Sequence, residues 1–451
     1  MSFSESLSDI VAGDRSGLLA VADHWERVRL GDIARVVNGF PFPSDNFTPD
    51  RGVPLLRIRD VRSDRTEAFF DGEVGEAFLV QAGELVVGMD GDFHAALWLG
   101  PQAALNQRVC KIVPDETSYS VKFLAYVLPG YLNAINQATS SITVKHLSSR
   151  TVGDIPIPLP PRKEQDRLVA AIEEHLSQLD AAVAGLKRVQ AQLPRYRAGV
   201  LKAAFEGTLL GRDGGAAGDW PIVPLRELAE LKGGITKGQR RKAGTTVREV
   251  PYLRVANVQR GYLDLRDVKT IEATEDEIVA LALRKGDVLF NEGGDRDKLG
   301  RGWVWNTELP LCIHQNHVFR ARVQADRLHP KFLSWYANSA GQRYFLEQGK
   351  QTTNLASVSL TKLGALPIPI PPIDTQRQIV AEVERRVSIL DATFLSVSSR
   401  LTKAHLLRLA ILRRAFSGQL VSQDPNDESP SVLLERILAA RAAAPIKPAR
   451  R

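Results

Sequence analysis

Clusters of Lys and Arg, set among Gly, Asp, Thr and Asn, are the residues of this chain best suited to chemistry. The run Lys237-Gly-Gln-Arg-Arg-Lys242 places Lys237, Arg240, Arg241 and Lys242 on a glycine-flanked stretch. The run Asn291-Glu-Gly-Gly-Asp-Arg-Asp-Lys-Leu-Gly-Arg301 mixes Arg296, Lys298 and Arg301 with acids. Short polar donors and acceptors follow at Thr352, Thr353 and Asn354. Earlier in the chain Arg57, Arg59, Arg62 and Arg65 alternate around Asp60 and Asp64, and Thr143, Lys145 and His146 stand where the Thr-Thr-Asn run stands later. Cations on loops neutralise phosphates, and short polar side chains reach the hydrogen-bonding edges of bases. For any one residue a solvated loop or an ion-paired strand face is the plainer reading. As clusters in matching loops of a basic chain, they point to nucleic-acid contact.

Signatures of catalysis are missing. The stretch Gly233-Gly-Ile-Thr-Lys-Gly238 has the glycine spacing of a phosphate-binding loop, but Gln239 and Arg240 stand where Lys and Ser or Thr are required, so it reads as a turn. His314 and His317 lack further ligands for a metal, and the eight histidines are scattered. No nuclease constellation and no nucleophile triad can be assembled. The two cysteines, Cys110 and Cys312, form no CxxC pair, which suits a reducing cytosol and argues against a disulfide framework. The formal charge of +7 and pI near 9.3 lean toward anionic partners. A polar, acidic N-terminus and the lack of any long apolar run argue against a signal peptide or a membrane span.

The elements that must position these clusters are written twice. Pro156 and Pro367, Gln165 and Gln376, Asp180 and Asp391, and Phe205 and Phe416 are all 211 residues apart. With 451 residues, the chain reads as a tandem of two similar halves. Each half opens on a matched run, Trp25-Glu-Arg-Val-Arg-Leu-Gly-Asp-Ile-Ala34 or Trp220-Pro-Ile-Val-Pro-Leu-Arg-Glu-Leu-Ala229, offset by 195. Short β-branched runs punctuated by Gly, Asp and Asn follow, and they predict strands and turns. Next come Ile155-Pro-Ile-Pro-Leu-Pro-Pro161 and Leu366-Pro-Ile-Pro-Ile-Pro-Pro372. Alternating prolines force an extended link with one apolar edge, a rigid joint just before a helix.

The helices carry a coiled-coil seam. In the first, Ile172, Leu176, Leu179, Val183, Leu186 and Leu193 follow heptad spacing; in the second, Ile379, Val383, Val387, Leu390, Phe394, Val397 and Leu401 do. Asp374 is a candidate cap, Gly207 and Gly418 stand where helices stop, and Pro194 is a candidate kink. A helix from about 375 to 416 would span about 60 Å at about 1.5 Å per residue. Burying both seams favours an antiparallel pair, and the expected product is two heads on a stiff two-helix rod. Such a device suits two DNA half-sites about 34 Å apart.

The opening runs, the Asn291–Arg301 loop, the Ile-Pro-Leu-Pro-Pro link leading to Glu164-Gln165, and the ends Phe205-Glu-Gly207 and Phe416-Ser-Gly418 together resemble the specificity subunit of type I restriction–modification enzymes. The resemblance covers residues 25 to 440, in order and twice; the departure is Thr375, which replaces the glutamate in Asp374-Thr-Gln376. It implies an α+β chain with two pseudo-symmetric target recognition domains, 25–161 and 219–372, each strand-rich with helices. The central conserved helix, 162–211, and the C-terminal conserved helix, 373–420, form an intramolecular antiparallel coiled coil. An extension, 1–24, has no assigned role; a tail, 421–451, holds a short amphipathic helix capped by Ser429 or Ser431 with a stripe of Val432, Leu433, Ile437 and Leu438.

The resemblance further implies a cytoplasmic, non-catalytic reader of a split site in double-stranded DNA, which recruits two methyltransferase subunits and the restriction subunits. S-adenosylmethionine, ATP and Mg would act on those partners, with no cofactor or metal in this chain. The absence of an Asn-Pro-Pro-aromatic motif and of FxGxG agrees with a chain that methylates nothing alone. Two other readings stay open at this point: a self-contained DNA-modifying enzyme, and a coiled-coil scaffold that reads no DNA.

Overall fold

Proline's fixed φ makes the two links extended, and the computed structural model uses both as strands. It describes residues 6–139, 145–211, 220–238, 240–242, 244–294, 299–351 and 356–443. Pro156–Leu159 pairs antiparallel with the opening strand Glu26–Arg29, and Pro367–Pro369 pairs in the same way with Ile222–Pro224. Ile155, Ile157 and Leu159 are fully buried, as are Leu366 and Ile368; Ile370 is half-buried. Proline offers no N–H to a further strand, so each sheet stays two-stranded. The link is therefore a docked joint and not a spacer.

The chain divides into two compact units, 1–185 with 400–451, and 186–399. Each long helix contributes to both. Arg162–Phe205 begins in the first unit and ends in the second; Ile373–Phe416 does the reverse.

In the first unit Leu168, Ile172 and Leu176 of one helix and Ala415 and Phe416 of the other enter a single core. Phe416 meets Phe123 edge-on at 6.3 Å between centroids. Arg408 pairs with Asp180, and His175 and Leu179 lie across a groove from Leu407, Ile411 and Arg414, so the two segments run antiparallel. In the second unit Ile379, Val383 and Val387 are buried, and Phe205 packs on Phe332 and Tyr336 at 5.3 Å. Arg197 binds Asp391 at 2.7 Å and Gln190 binds Ser398 at 3.3 Å, which again sets an antiparallel register. Leu193 and Val397 are buried; Val183, Leu186, Leu390 and Leu401 are half-buried.

Phe394 departs from the seam, with 47% of its surface exposed. A straight α-helix drifts about 20° per heptad against a 3.5-residue repeat. At about 3.6 residues per turn Val397 returns to the line of Ile379 and is buried, whereas Phe394 lies about 60° round the helix, on the flank. Pro194 does not interrupt its helix, and Asp374 lies inside the first turn of the second helix, paired with Arg377 at 2.8 Å, where it is no cap. Gly207 and Gly418 adopt φ of 73° and 70°, the left-handed stop expected of them.

The two heads share one strand order. In the first it is 34–38, 109–114, 85–88, 94–97, and in the second 229–232, 318–323, 288–291, 302–304, among the described residues. Beside each lies a parallel pair, Val53–Leu56 with Ala103–Leu105, and Arg248–Leu253 with Ile313–His314. Gly39 and Gly234 cross these pairs so closely that a Cβ would sit 2.0 Å from the Asn106 carbonyl oxygen and 1.9 Å from that of His314. Only glycine fits there.

The N-terminal stretch has a structural place. Ile10, Leu19 and Ala22 are buried in the first core, and the helix Leu7–Ala12 packs beside Val121–Ala138. The tail helix Pro430–Ala443 inserts Leu433 and Ile437 into that core, while Arg441 pairs with Asp32. Val432 and Leu438 stay exposed, so its apolar stripe is narrower than its sequence suggests. Ser429 accepts from the Val432 N–H at 3.4 Å and supplies the cap.

Candidate nucleic-acid interface

The surface most suited to a polyanion grows from one turn in each head. In the first, buried Asp60 accepts from the Arg57 N–H and the Thr66 hydroxyl, both at 3.1 Å. Ile58 and Val61 pack inward beneath Gly88. This anchoring turns Arg59, Arg62 and Arg65 outward, exposed and without a side-chain partner among the described residues. Arg57 itself is half-buried and held by Asp60 at 3.4 Å, so it belongs to the frame. A cleft of about 550 Å³ lies between Val61–Arg65 and Ala95–Leu97. His94, at the mouth of the adjoining hairpin, is held below the usual histidine range by partial burial and then by the nearby Arg62 charge.

That hairpin, Leu85–Gly88 with His94–Leu97, carries a second group. Asp90 at its turn binds Arg108 Nη1 at 2.6 Å through one oxygen and His146 Nδ1 at 2.6 Å through the other. Lys145 is drawn inward, its Nζ donating to the backbone oxygen of Asn136 at 2.5 Å and to Asn136 Oδ1 at 3.1 Å. It closes the end of the helix Val121–Ala138 and does not project. Thr143 lies outside the described residues.

In the second head Asn257 takes the place of Asp60, accepting from the Arg254 N–H at 2.9 Å. The positions of Arg59, Arg62 and Arg65 are taken here by exposed Ala256, by Gln259, half-buried with its amide donating to the Ala256 carbonyl at 2.7 Å, and by Tyr262. Tyr262 is exposed. The frame is repeated while its outward side chains differ. Of the basic cluster, Lys237, Arg240 and Lys242 are exposed. Arg241 is occupied: it binds Glu277 at 2.8 Å and the Glu272 carbonyl at 3.0 Å, which pins the loop to the helix Glu275–Leu281. Arg301 is half-buried and directs Nη2 to the Val255 carbonyl at 3.4 Å. Arg296, Lys298, Thr352, Thr353 and Asn354 lie outside the described residues. His317 binds Glu292 at 2.6 Å, at the end of the strand 288–291, which pairs with 302–304 as 85–88 pairs with 94–97.

His314 is not part of this surface. It is buried with Nδ1 2.6 Å from the Val318 carbonyl, and burial pushes its pKa down to about 4. No cluster of three metal-ligating side chains occurs among the described residues.

Arg108, Asp90, Gln259 and Tyr262 were not legible as site residues. For Arg108 the signal was the match of Gln107-Arg-Val109 with Asn316-His-Val318, which marks a shared turn without marking its exposure; nothing in the sequence marked the other three.

The Glu-Gln start of the first long helix has a structural role. Buried Gln165 accepts from the Ser120 N–H at 2.7 Å and donates to the carbonyls of Ser118 and Pro160 at 3.1 and 2.9 Å. Gln376 repeats this with the His329 N–H at 2.8 Å and the carbonyls of Arg327 and Pro371, both at 2.9 Å. Each clasp ties link, helix and head together. Glu164 accepts from the Trp25 indole at 3.1 Å; its place in the second copy is taken by Thr375.

Comparison with known proteins agrees with this geometry. The profile of the family described as the type I restriction modification DNA specificity domain matches residues 22–195 and again 217–392. The EcoBI specificity subunit of Escherichia coli is 32% identical over 475 residues, covering 100% of this chain and 99% of that one. The EcoKI specificity subunit of Escherichia coli K12 is 22% identical, with coverages of 95% and 97%. Among solved structures, a chain from a study of type I R-M complex assembly aligns with a TM-score of 0.62 at 20% identity, over 88% of this chain and 99% of that one. The HsdS subunit of Thermoanaerobacter tengcongensis gives 0.58 at 18% identity, with coverages of 88% and 98%. Those two likenesses concern the fold. On the doubled family match and the full-length relative, the chain belongs to the specificity subunits of type I restriction–modification systems.

Proposed function

We propose that this chain reads a split site in double-stranded DNA, one half-site per head, and leaves the chemistry to other polypeptides. The observation that carries the reading is the repeated frame: one strand order and one anchored turn in both heads, with exposed Arg108 beside the central strand of one and exposed His317 at the same place in the other. A frame kept while its outward residues diverge suits two readers of different sequences. Exposed Arg59, Arg62, Lys237 and Arg240 would neutralise phosphates.

The long helices would set the distance between half-sites and receive two methyltransferase subunits, to which restriction subunits add. S-adenosylmethionine, ATP and Mg would be held by those partners, and the complex would work in the cytoplasm. No helix among the described residues is long and apolar enough to cross a membrane.

The test exchanges residues 25–155 for the head of another family member, in cells carrying the methyltransferase subunit, and maps methylated adenines across the genome. One half of the split motif should change while the other half and the gap persist. Change in both halves would refute the assignment of one half-site to each head.

A further inference from the structure

We propose that Arg108 is the residue with which the first head reads a guanine, and that His317 holds the equivalent base-reading post in the second. The proposal rests on the DNA reading given above. The two residues occupy one place in the repeated frame. Each immediately precedes the central strand, at buried Val109 and Val318. Each has its carbonyl bound by a hairpin N–H, that of Met89 or Glu292, at 3.0 Å. Each projects, with side chains 61% and 56% exposed. Each is braced at 2.6 Å by a carboxylate of that hairpin, Asp90 or Glu292.

The brace separates base reading from phosphate binding. A carboxylate next to a cation repels an approaching phosphate and cancels part of the attraction. A base edge is neutral and suffers no such penalty. Orientation is gained at the same time, because a charge-assisted bond fixes the guanidinium plane. His146 holds the other oxygen of Asp90, so the carboxylate is fixed from both sides. With Nη1 engaged, Arg108 keeps Nε and Nη2 as an outward fork without a partner among the described residues. That fork matches O6 and N7 of guanine in the major groove. Lysine cannot supply it. By the same logic Arg59, Arg62 and Arg65, which lack a carboxylate brace, serve phosphates. With Nδ1 on Glu292, His317 retains one outward nitrogen and makes a single contact.

The experiment uses the complex with its methyltransferase subunits, carrying Arg108→Gln, Arg108→Lys or His317→Ala. Binding is measured against duplexes that differ at single base pairs, and methylated motifs are mapped in cells. Both Arg108 variants should lose discrimination at one base pair of one half-site, by about ten- to a hundred-fold, with the other half unchanged. Charge is kept in Arg108→Lys, so a loss there reports the fork. His317→Ala should act on the other half alone. An equal loss of affinity for every duplex, with a salt slope shallower by about one, would mean a phosphate contact and overturn the proposal. So would full discrimination by Arg108→Lys. A wild-type complex without any split motif would instead sink the underlying DNA reading.

Discussion

Replacing Gln165 with Leu removes a clasp whose cost can be worked out from its geometry. The side chain is fully buried and makes three bonds, from the Ser120 N–H and to the carbonyls of Ser118 and Pro160. Leucine fills nearly the same volume, so cavity formation is a minor effect. Each net hydrogen bond contributes about 1 kcal/mol, and the stranded Ser120 N–H adds about 1–3 kcal/mol of unrecovered desolvation. The greater apolar burial of leucine offsets about 1 kcal/mol. The expected loss is therefore roughly 3–5 kcal/mol. At about 2–4 °C per kcal/mol for a unit of this size, the melting temperature should fall by about 6–20 °C. Differential scanning calorimetry on the full chain measures it. The duplication provides an internal control, because Gln376 makes the same three bonds in the second unit. Gln376→Leu should lower the transition of its own unit by a similar amount. A shift below about 3 °C for both variants would refute the claim that the clasp joins link, helix and head.

Three further outcomes follow from the same reasoning. Lys237→Ala, Arg240→Ala and Lys242→Ala together should reduce the slope of log affinity against log salt by about 2–3, whereas Arg241→Ala should mainly loosen the loop that Glu277 holds; titrations at several salt concentrations distinguish the two. His314, at about 4 when folded, takes up its proton more readily once unfolded, near 6.5, so stability present above that pH is lost as pH falls through 4; the loss is roughly 3 kcal/mol. His314→Leu, which copies Leu105 of the first head, should flatten this slope in urea titrations at pH 7, 5.5 and 4.5. Phe416→Ala and Phe205→Ala should each cost about 3–5 kcal/mol in the unit whose core the ring enters, read by the same calorimetry.

Sequence alone determined those features that depend on neighbours along the chain. Proline and an apolar alternation make Ile155–Pro161 an extended, docking edge whatever surrounds it. A heptad period makes the long helices, and glycine ends them at 207 and 418. The constant offset of 211 residues declares the duplication. Tertiary structure decided which charged groups are available. Lys145 and Arg241 look like free cations in the sequence, yet one closes a helix end and the other pins a loop. Asp90, Arg108 and His146 come together only because the strand register and a hairpin bring them to one edge. The same holds for Gln165, whose partners are set by where the link strand docks. Local pattern fixes backbone conformation through sterics and burial period. The pairing of polar side chains depends on register, where one residue of slip would turn each of them to the opposite face.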